Sequence, residues 1–282
     1  MILLADAGST KTIWAWVTSC EHGMIEAEGI NPLQLGIEEI KQRLSVLNPF
    51  LPKKPKAVYY YGTGINSSST SLMQALLSEL FPQADVYVFS DILAVAHALS
   101  PDRPSMIYII GTGSASCLWS GQQILSKVPS GGFLLGDEGS GVWLGKQFLI
   151  RYIRDEWPQR LQEAFQSFIN LSNDALIQQL YSQRSPNRYL ASFVPFIYEN
   201  KQIPELRQLV IQSFDSLLSS HLHYYHKHIH SPNVDTGYFA GSVAYFFKEE
   251  LQEALASRFK IGAICRSPMN QLITYYQKKW IE

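Results

Sequence analysis

The feature that most constrains this chain is an ordered series of short glycine-rich and acidic segments, each close to an apolar run. They are residues 6–12 (DAGSTKT), 90–91 (SD), 111–114 (GTGS), 136–141 (GDEGSG) and 241–242 (GS). Glycine permits positive φ and a close approach of the backbone to a ligand, so such turns can present N–H groups to phosphate oxygens. The acids between them suit Mg²⁺ and a hydroxyl group. The combination is typical of ATP-dependent phosphoryl transfer.

Composition limits the class of protein and its partners. The 282 residues are 46% hydrophobic and 17% charged, which predicts a compact globular protein with room for two domains. Because the net charge is -1 and the basic residues are scattered, we expect a small-molecule substrate and no nucleic acid. The first residues, MILLADAG, lack a basic leader and meet an acid early, so we expect no membrane anchor and a cytoplasmic location.

Periodicity in the first third predicts three strands, a helix, and then alternating strands and helices. The strands are 2–5, 12–17, 24–29, 57–61 and 86–89, and the helices are 37–47, 67–81 and 92–99. A polar stretch with two prolines, 100–104, follows, and three strands again precede a helix. These strands are 106–110, 115–119 and 123–127, followed by helices 141–154, 161–169 and 206–228, strand 235–240 and helices 243–255 and 268–280.

We interpret this order as two copies of one α/β plan. The domains are 1–104 and 105–282; the second carries a helical insertion, and we expect the last helix to pack back on the first domain. Ligands of open α/β sheets usually bind at the carboxyl ends of the strands, so the glycine turns would line a cleft there.

With these motifs the chain resembles the branch of the actin-like superfamily that contains N-acetylglucosamine kinases and the BadF/BadG/BcrA/BcrD ATPases. DAGSTKT is similar to the first phosphate loop and GTGS to the second, and LLGDEGSG at 134–141 is the most specific match. The resemblance implies duplicated ribonuclease H-like domains with an interdomain cleft, and a homodimer. The Walker pattern is absent, which disfavours a P-loop NTPase.

The resemblance implies a role for each segment. Asp91 would be the catalytic base, and Asp6 would orient Mg²⁺ through water. ATP would contact the two phosphate loops and the adenosine loop, which are Gly8, Ser9, Thr10, Lys11, Gly111, Thr112, Gly113, Ser114, Gly241 and Ser242. The sugar, N-acetylglucosamine or a related amino sugar, would contact Asn31, Thr112, Asp137 and Glu138.

Structural alternatives exist for these residues. Asp91 could simply cap a helix, although Ser90 could fill that position and leave Asp91 free. The chain also departs from the kinases of the human type, which have Gly-Gly-Trp-Gly-His before the acidic turn where this chain has GGFLL at 131–135. It has Ala115 and Ser116 where those kinases have Asn and Cys, a second departure in the region of the amino-sugar pocket.

Two other function classes stay open. One is an ATPase that drives electron transfer, but its relatives hold an iron-sulfur cluster, and Cys20, Cys117 and Cys265 include no close pair. The other is a non-catalytic sugar or nucleotide sensor, because a fold does not by itself imply catalysis. The histidines of 221–230, of which His223, His226 and His230 would share a helix face, are interpreted as a solvated helix end in preference to a metal site.

Overall fold

The computed structural model describes residues 1–228, 234–256 and 258–279, and the chain falls into two compact units. The first unit comprises Met1–Arg103 with Ser267–Glu282, and the second comprises Pro104–Arg266. Each unit is built on one five-stranded mixed sheet. Both units are therefore α/β, as the alternation of strand and helix patterns predicts.

The first unit has the sheet order β3-β2-β1-β4-β5, in which β1 pairs antiparallel with β2 and parallel with β4. Its first elements are β1 (Ile2–Ala7), β2 (Lys11–Val17), β3 (His22–Glu28), α1 (Ile37–Leu44), α2 (Leu47–Phe50), β4 (Ala57–Gly62), α3 (Ser67–Leu80), β5 (Asp85–Ser90) and α4 (Asp91–Leu99). Strand β1 reads as a continuous apolar run because both of its faces are buried: Leu3 and Ala5 belong to one hydrophobic core, and Ile2 and Leu4 to another.

The second unit repeats this plan. Its order β10-β9-β6-β7-β8 is the same arrangement read from the other edge, with β6 antiparallel to β7 and parallel to β9. The elements are β6 (Ser105–Ile110), β7 (Ser114–Trp119), β8 (Ile124–Lys127), α5 (Gly132–Leu135), α6 (Gly141–Ile153), α7 (Gln159–Ile169), α8 (Asn173–Tyr181), α9 (Pro186–Ala191), α10 (Val194–Glu199), α11 (Pro204–His228), β9 (Thr236–Ala240), α12 (Ser242–Phe246), α13 (Lys248–Leu255) and β10 (Lys260–Cys265). The predicted duplication of one α/β plan is confirmed.

The last helix, α14 (Met269–Lys278), belongs to the first unit and packs against α4. Its Tyr276 hydroxyl lies 2.7 Å from the hydroxyl of Tyr61, which lies 2.9 Å from His97 Nδ1. Because these groups are largely removed from water, each needs such a partner. Burial lowers the pKa of His97 to about 4.

Several local details differ from the predictions. The expected helix 37–47 is two helices, α1 and α2. The expected helix 243–255 is divided at Phe247, which has a non-helical backbone (φ -103°, ψ 35°) and a fully buried side chain. The sequence pattern gives no strand at 260–265, where β10 pairs in parallel with β9. A shift in register between Ile261 and Ala263 breaks the alternation that would reveal this strand. The short helices α5 and α8–α10 were also not predicted.

Among the described residues, no helix is long and apolar enough to cross a bilayer, and no three His, Cys, Asp or Glu side chains are grouped to hold a metal ion. The histidine-rich end of α11 is exposed at His223 and His226, whereas His230 lies outside the described residues. His221 departs from the predicted solvated helix end because it is buried.

His221 belongs to a buried polar chain in the second unit. Its Nδ1 lies 2.7 Å from Ser116 Oγ, which lies 2.5 Å from the hydroxyl of Tyr225. The Ser116 side chain is fully buried, so the departure from the kinase pattern at this position lies in the core of the unit. Burial lowers the pKa of His221 to about 4.

We expect His221 to make stability depend on pH. Because its pKa is lower folded than unfolded, the unfolded chain binds more protons between about pH 6.5 and 4, and stability falls as the pH falls through this window. From pH 7.5 to pH 5 the loss from this group is about 2 kcal/mol. Thermal unfolding of His221→Gln, which keeps a hydrogen-bonding group but does not titrate, should therefore show a shallower decrease of Tm over this range.

The matched control is His226→Gln, which changes an exposed histidine of the same helix and should keep the wild-type slope. Equal slopes for His221→Gln and wild type would contradict this prediction.

Candidate active site

The turn between β1 and β2 forms the candidate first phosphate loop. The amide of Gly8 donates to the carbonyl of Lys11 (2.9 Å), which closes a tight hairpin around Ser9 and Thr10. Ser9 is partly exposed and Thr10 is exposed. The Lys11 ammonium lies 2.8 Å from Glu26 on β3. Because this ion pair is exposed, it contributes little, about 0.5 kcal/mol, and an incoming phosphate could compete for the lysine.

Asn31 follows β3 and lies behind this hairpin. Only 7% of its surface is exposed. Its Nδ2 donates to Ser9 Oγ (3.0 Å), and its Oδ1 accepts from the amide of Leu33 (3.0 Å). Both ends of the amide already have protein partners, so the contact of Asn31 with the sugar stays a prediction.

Asp6 and Asp91 lie at the carboxyl ends of parallel strands. Ala7 of β1 pairs with Gly62 of β4, and Gly62 pairs with Ser90 of β5. Asp6 and Asp91, which are next to Ala7 and Ser90 in the chain, therefore lie at the same edge of the sheet. The Asp6 carboxylate accepts a hydrogen bond from Ser267 Oγ (2.8 Å). Burial, together with the negative charge of Asp91, raises its pKa to about 6, and the Ser267 bond and the Lys11 charge oppose this shift. The structure therefore brings the two predicted acids into electrostatic contact.

The start of α4 differs from the expected arrangement. Ser90 occupies the N-cap position, but its side chain makes no capping hydrogen bond; instead its hydroxyl donates to Asp91 Oδ1 (3.1 Å). The same carboxylate oxygen accepts from the amide of Ile92 (2.9 Å). Ser90 holds the N-cap position, as one of the two alternatives had it, but its side chain contacts Asp91. Both bonds stabilise the ionised carboxylate and fix its direction.

In the second unit, the GTGS turn joins β6 to β7 and packs against the start of α6. The amides of Gly141 and Val142 donate to the carbonyls of Gly111 (2.8 Å) and Thr112 (3.1 Å). These bonds satisfy the first amides of the helix, which have no partners within it. The helix start therefore fixes the position of the turn.

Asp137 of the acidic turn bonds to this same GTGS segment. Its Oδ1 accepts from the amide of Ser114 (3.1 Å), and a Cβ at Gly113 would lie 3.0 Å from that oxygen. Asp137 itself has φ 58°, which is costly for a residue other than glycine. Burial raises its pKa, and the bond from Ser114 opposes this shift. The structure thus brings Asp137 together with the predicted second phosphate loop, with partly buried Glu138 next to it.

Gly241, in the predicted adenosine loop, approaches the same turn. It has φ 116°, and a Cβ there would lie 2.3 Å from the carbonyl oxygen of Ile110. Its amide donates to the carbonyl of Cys265 (3.0 Å), and Ser242 begins α12. The glycine is therefore required by packing within the protein, whatever contact adenosine makes with it.

Several residues that organise these segments were not identified from the sequence. Ser267, the partner of Asp6, is 261 positions away, so no local pattern links the two. Gly29 and Gly64 lie against Ser9 and Asn31, where a Cβ would come within 2.5 Å and 2.3 Å of existing atoms. Gly29 directly follows β3 and Gly64 lies two residues after β4, and a glycine close behind a strand is the signal that could have identified both.

Known structures show what this arrangement is similar to. A Porphyromonas gingivalis protein, provisionally assigned as an N-acetylglucosamine kinase, is 35% identical, with 99% of this chain and 100% of that chain covered and a TM-score of 0.92. A Chromobacterium violaceum protein with the same provisional assignment is 17% identical over 97% and 98% of the two chains, with a TM-score of 0.71. A Streptomyces griseus ROK family glucokinase, in complex with glucose and AMPPNP, is 11% identical over 97% of each chain, with a TM-score of 0.62.

No protein-family model and no curated protein sequence matches the chain. The two more distant structures show the fold, whereas the Porphyromonas gingivalis protein shares more than a third of its residues over practically its whole length. The chain therefore belongs to the N-acetylglucosamine kinase-like branch of the actin-like superfamily, and it is a phosphotransferase that uses an alcohol group as acceptor.

Proposed function

We propose that this enzyme transfers the γ-phosphoryl group of Mg-ATP to a hydroxyl of N-acetylglucosamine or a related amino sugar. The observation that carries the proposal is the 35% identity to the Porphyromonas gingivalis protein over 99% of this chain. The Asp6 and Asp91 pair and the Asp137 turn support it, because they provide acids beside glycine turns in both units.

Asp91 is the proposed base. Phosphoryl transfer passes through a loose transition state, so the acceptor hydroxyl loses its proton late and the base mainly orients it for in-line attack. The hydrogen bonds from Ser90 and Ile92 hold Asp91 Oδ1 in place. Because the carboxylate is rigid, they also fix the direction of its second oxygen. Such positioning lowers the entropic cost of reaching the transition state.

The residues around Asp6 fit a magnesium ion. The negative charge of Asp91 raises the proton affinity of the Asp6 carboxylate, and the Lys11 ammonium nearby is paired with Glu26. A hard cation that prefers oxygen ligands and keeps several waters would relieve this repulsion. We propose that Asp6 holds Mg²⁺ through water, and when bound the ion supplies charge neutralisation at the phosphates.

The remaining segments divide between ATP and the sugar. We propose that the 8–11 and 111–114 turns contact the phosphates and that Gly241 and Ser242 contact adenosine. Asp137, Glu138 and Thr112 are the proposed sugar-binding residues, because Asp137 provides a partly buried acceptor beside the phosphate turn. A cytoplasmic homodimer, implied by the sequence, stays a prediction.

Replacing Asp91 should abolish turnover but not nucleotide binding. We expect Asp91→Asn to lower kcat for sugar-dependent ADP release at least about 100-fold, the usual contribution of a general base, with the Kd for ATP changed less than about threefold. Coupled ADP release and calorimetry measure the two quantities. Asp102→Asn, an exposed aspartate of the same unit, is the matched control and should behave as wild type. Equal losses of ATP binding and turnover would speak against the assignment.

Replacing Asp137 should affect the sugar selectively. Asp137→Asn can still accept the bond from Ser114 but loses the charged acceptor, and a hydrogen bond to a charged group contributes about 1.5–3 kcal/mol. We therefore expect KM for the sugar to rise at least about tenfold, with KM for ATP unchanged. Asp174→Asn, which alters an exposed acid of α8, is the control. A rise in KM for ATP alone would show that Asp137 serves the nucleotide.

The identity of the sugar is tested by ADP release from Mg-ATP with N-acetylglucosamine, N-acetylmannosamine, N-acetylmuramic acid, glucosamine and glucose. We expect an N-acetylated sugar to stimulate release most strongly, and Asp91→Asn to remove that stimulation. Stimulation by glucose alone would contradict the amino-sugar assignment while leaving the phosphotransferase class intact.

A further inference from the structure

The face of β1 that carries Asp6 is the face that α14 covers. Side chains alternate along a strand, so Ile2, Leu4 and Asp6 point to the same side of the first sheet. Ile2 and Leu4 belong to the hydrophobic core that also contains Met269 and Leu272 of α14. Asp6 is the last side chain of this row. The residues that precede α14 therefore meet a carboxylate at the point where the apolar row ends.

Ser267 is the residue that meets this carboxylate, and its hydroxyl proton has one direction. The amide of Met269 donates to Ser267 Oγ (3.3 Å), and an amide N–H can only donate. Ser267 Oγ lies 2.8 Å from Asp6 Oδ2, and an ionised carboxylate can only accept. The Ser267 proton therefore points to Asp6. Hydrogen bonds to ionised groups are about twice as strong as neutral ones, so this bond holds Asp6 Oδ2 in place.

The Ser267 bond uses one of the two carboxylate oxygens of Asp6. The residues that the structure describes form no hydrogen bond to the other oxygen, Oδ1. Because the carboxylate is rigid, holding Oδ2 also fixes the direction of Oδ1. Mg²⁺ keeps several waters in its coordination shell, and an oxygen of fixed direction is suited to accept hydrogen bonds from them.

The far end of α14 has its own polar contact with the sheet. Asp6 pairs with Tyr61 of β4, so the two side chains lie side by side on the face that α14 covers. The Tyr61 hydroxyl lies 2.7 Å from that of Tyr276, near the end of α14. The helix is thus anchored to the sheet independently of Ser267, by its apolar side chains and by this second bond.

We propose that Ser267 is a positioning residue for Mg²⁺ and acts through Asp6. By holding Asp6 Oδ2, it directs Oδ1 toward the waters of the metal ion. Outer partners orient metal-binding groups in this way, and their loss costs about 10–100-fold in metal affinity. The inference rests on the proposed function in taking Asp6 as the residue that orients Mg²⁺.

The test measures how strongly Mg²⁺ assists nucleotide binding, with no sugar present. Calorimetry gives the Kd for AMPPNP in EDTA and the Kd in excess Mg²⁺, and the ratio of these two values is the metal coupling. We expect Ser267→Ala to lower the metal coupling about tenfold and to change the Kd in EDTA less than about twofold, because only the metal contact is affected. If Ser267→Ala does not fold, Ser267→Cys, which has a weaker donor, should lower the coupling in the same direction.

A double-mutant cycle shows whether Ser267 acts through Asp6. Asp6→Asn keeps an acceptor for the Ser267 proton but removes the charge, and it should itself lower the metal coupling at least about tenfold. In the Asp6→Asn background, we expect less than about half of the Ser267→Ala effect to remain on a logarithmic scale, because both changes act on one group.

Two control variants separate this role from a structural role of α14. Tyr276→Phe removes the hydroxyl that bonds to Tyr61 at the far end of the helix, so it should lower Tm but keep the wild-type metal coupling. Thr274→Ala deletes a hydroxyl at an exposed residue of the same helix, and both its Tm and its metal coupling should match wild type.

Three results would overturn the proposal. The first is a loss of metal coupling in Ser267→Ala that is no larger than in Tyr276→Phe. The second is a cycle in which the Asp6 and Ser267 effects are independent. The third is an unchanged coupling in Asp6→Asn, which would also contradict the metal role of Asp6. Failure of every sugar to stimulate ADP release would contradict the proposed function instead, and the metal coupling would still decide the role of Ser267.

Discussion

The in-register pairing of parallel strands is the constraint on which most of the candidate site residues depend. In the first unit, Ala7, Gly62 and Ser90 end their strands in one row. In the second, Ile109 of β6 is level with Ala240 of β9, so the GTGS turn and the Gly241 loop leave the same edge. Because each strand changes to a turn at this row, backbone amides and short acidic side chains collect there without any long insertion.

Close backbone approach fixes these turns in the second unit. Gly113 leaves space for the Asp137 carboxylate, and Gly241 lies against the carbonyl of Ile110. The first amides of α6 bond to the GTGS carbonyls. The three segments therefore support each other, and the left-handed conformation of Asp137 is maintained by its bond to Ser114. Strain held by surrounding contacts is common at sites that must be preorganised.

Burial of acids connects this architecture to its chemistry. The pKa values of Asp6 and Asp137 are both raised by burial, so their charged forms lie in surroundings that solvate them poorly. A cation at Asp6 or sugar hydroxyls at Asp137 would replace the missing water. By contrast, Ser116, His221 and Tyr225 form hydrogen bonds with one another. These bonds explain why three polar side chains can lie in the core of the second unit. Asp6 and Asp137 also have protein partners, Ser267 and Ser114, but burial still raises the pKa values of both acids.

The sequence by itself determined the repeated α/β plan and the acids beside the glycine turns, because strand periodicity and glycine chemistry are local properties. It did not reveal β10, whose alternation is interrupted by a shift in register, or the division of the helix at Phe247. Only the tertiary structure decided that Ser267 bonds to Asp6, that Asn31 faces Ser9, and that Gly241 packs on Ile110. These contacts join residues far apart in the chain, and their geometry is set by strand pairing and packing, which no short sequence pattern encodes.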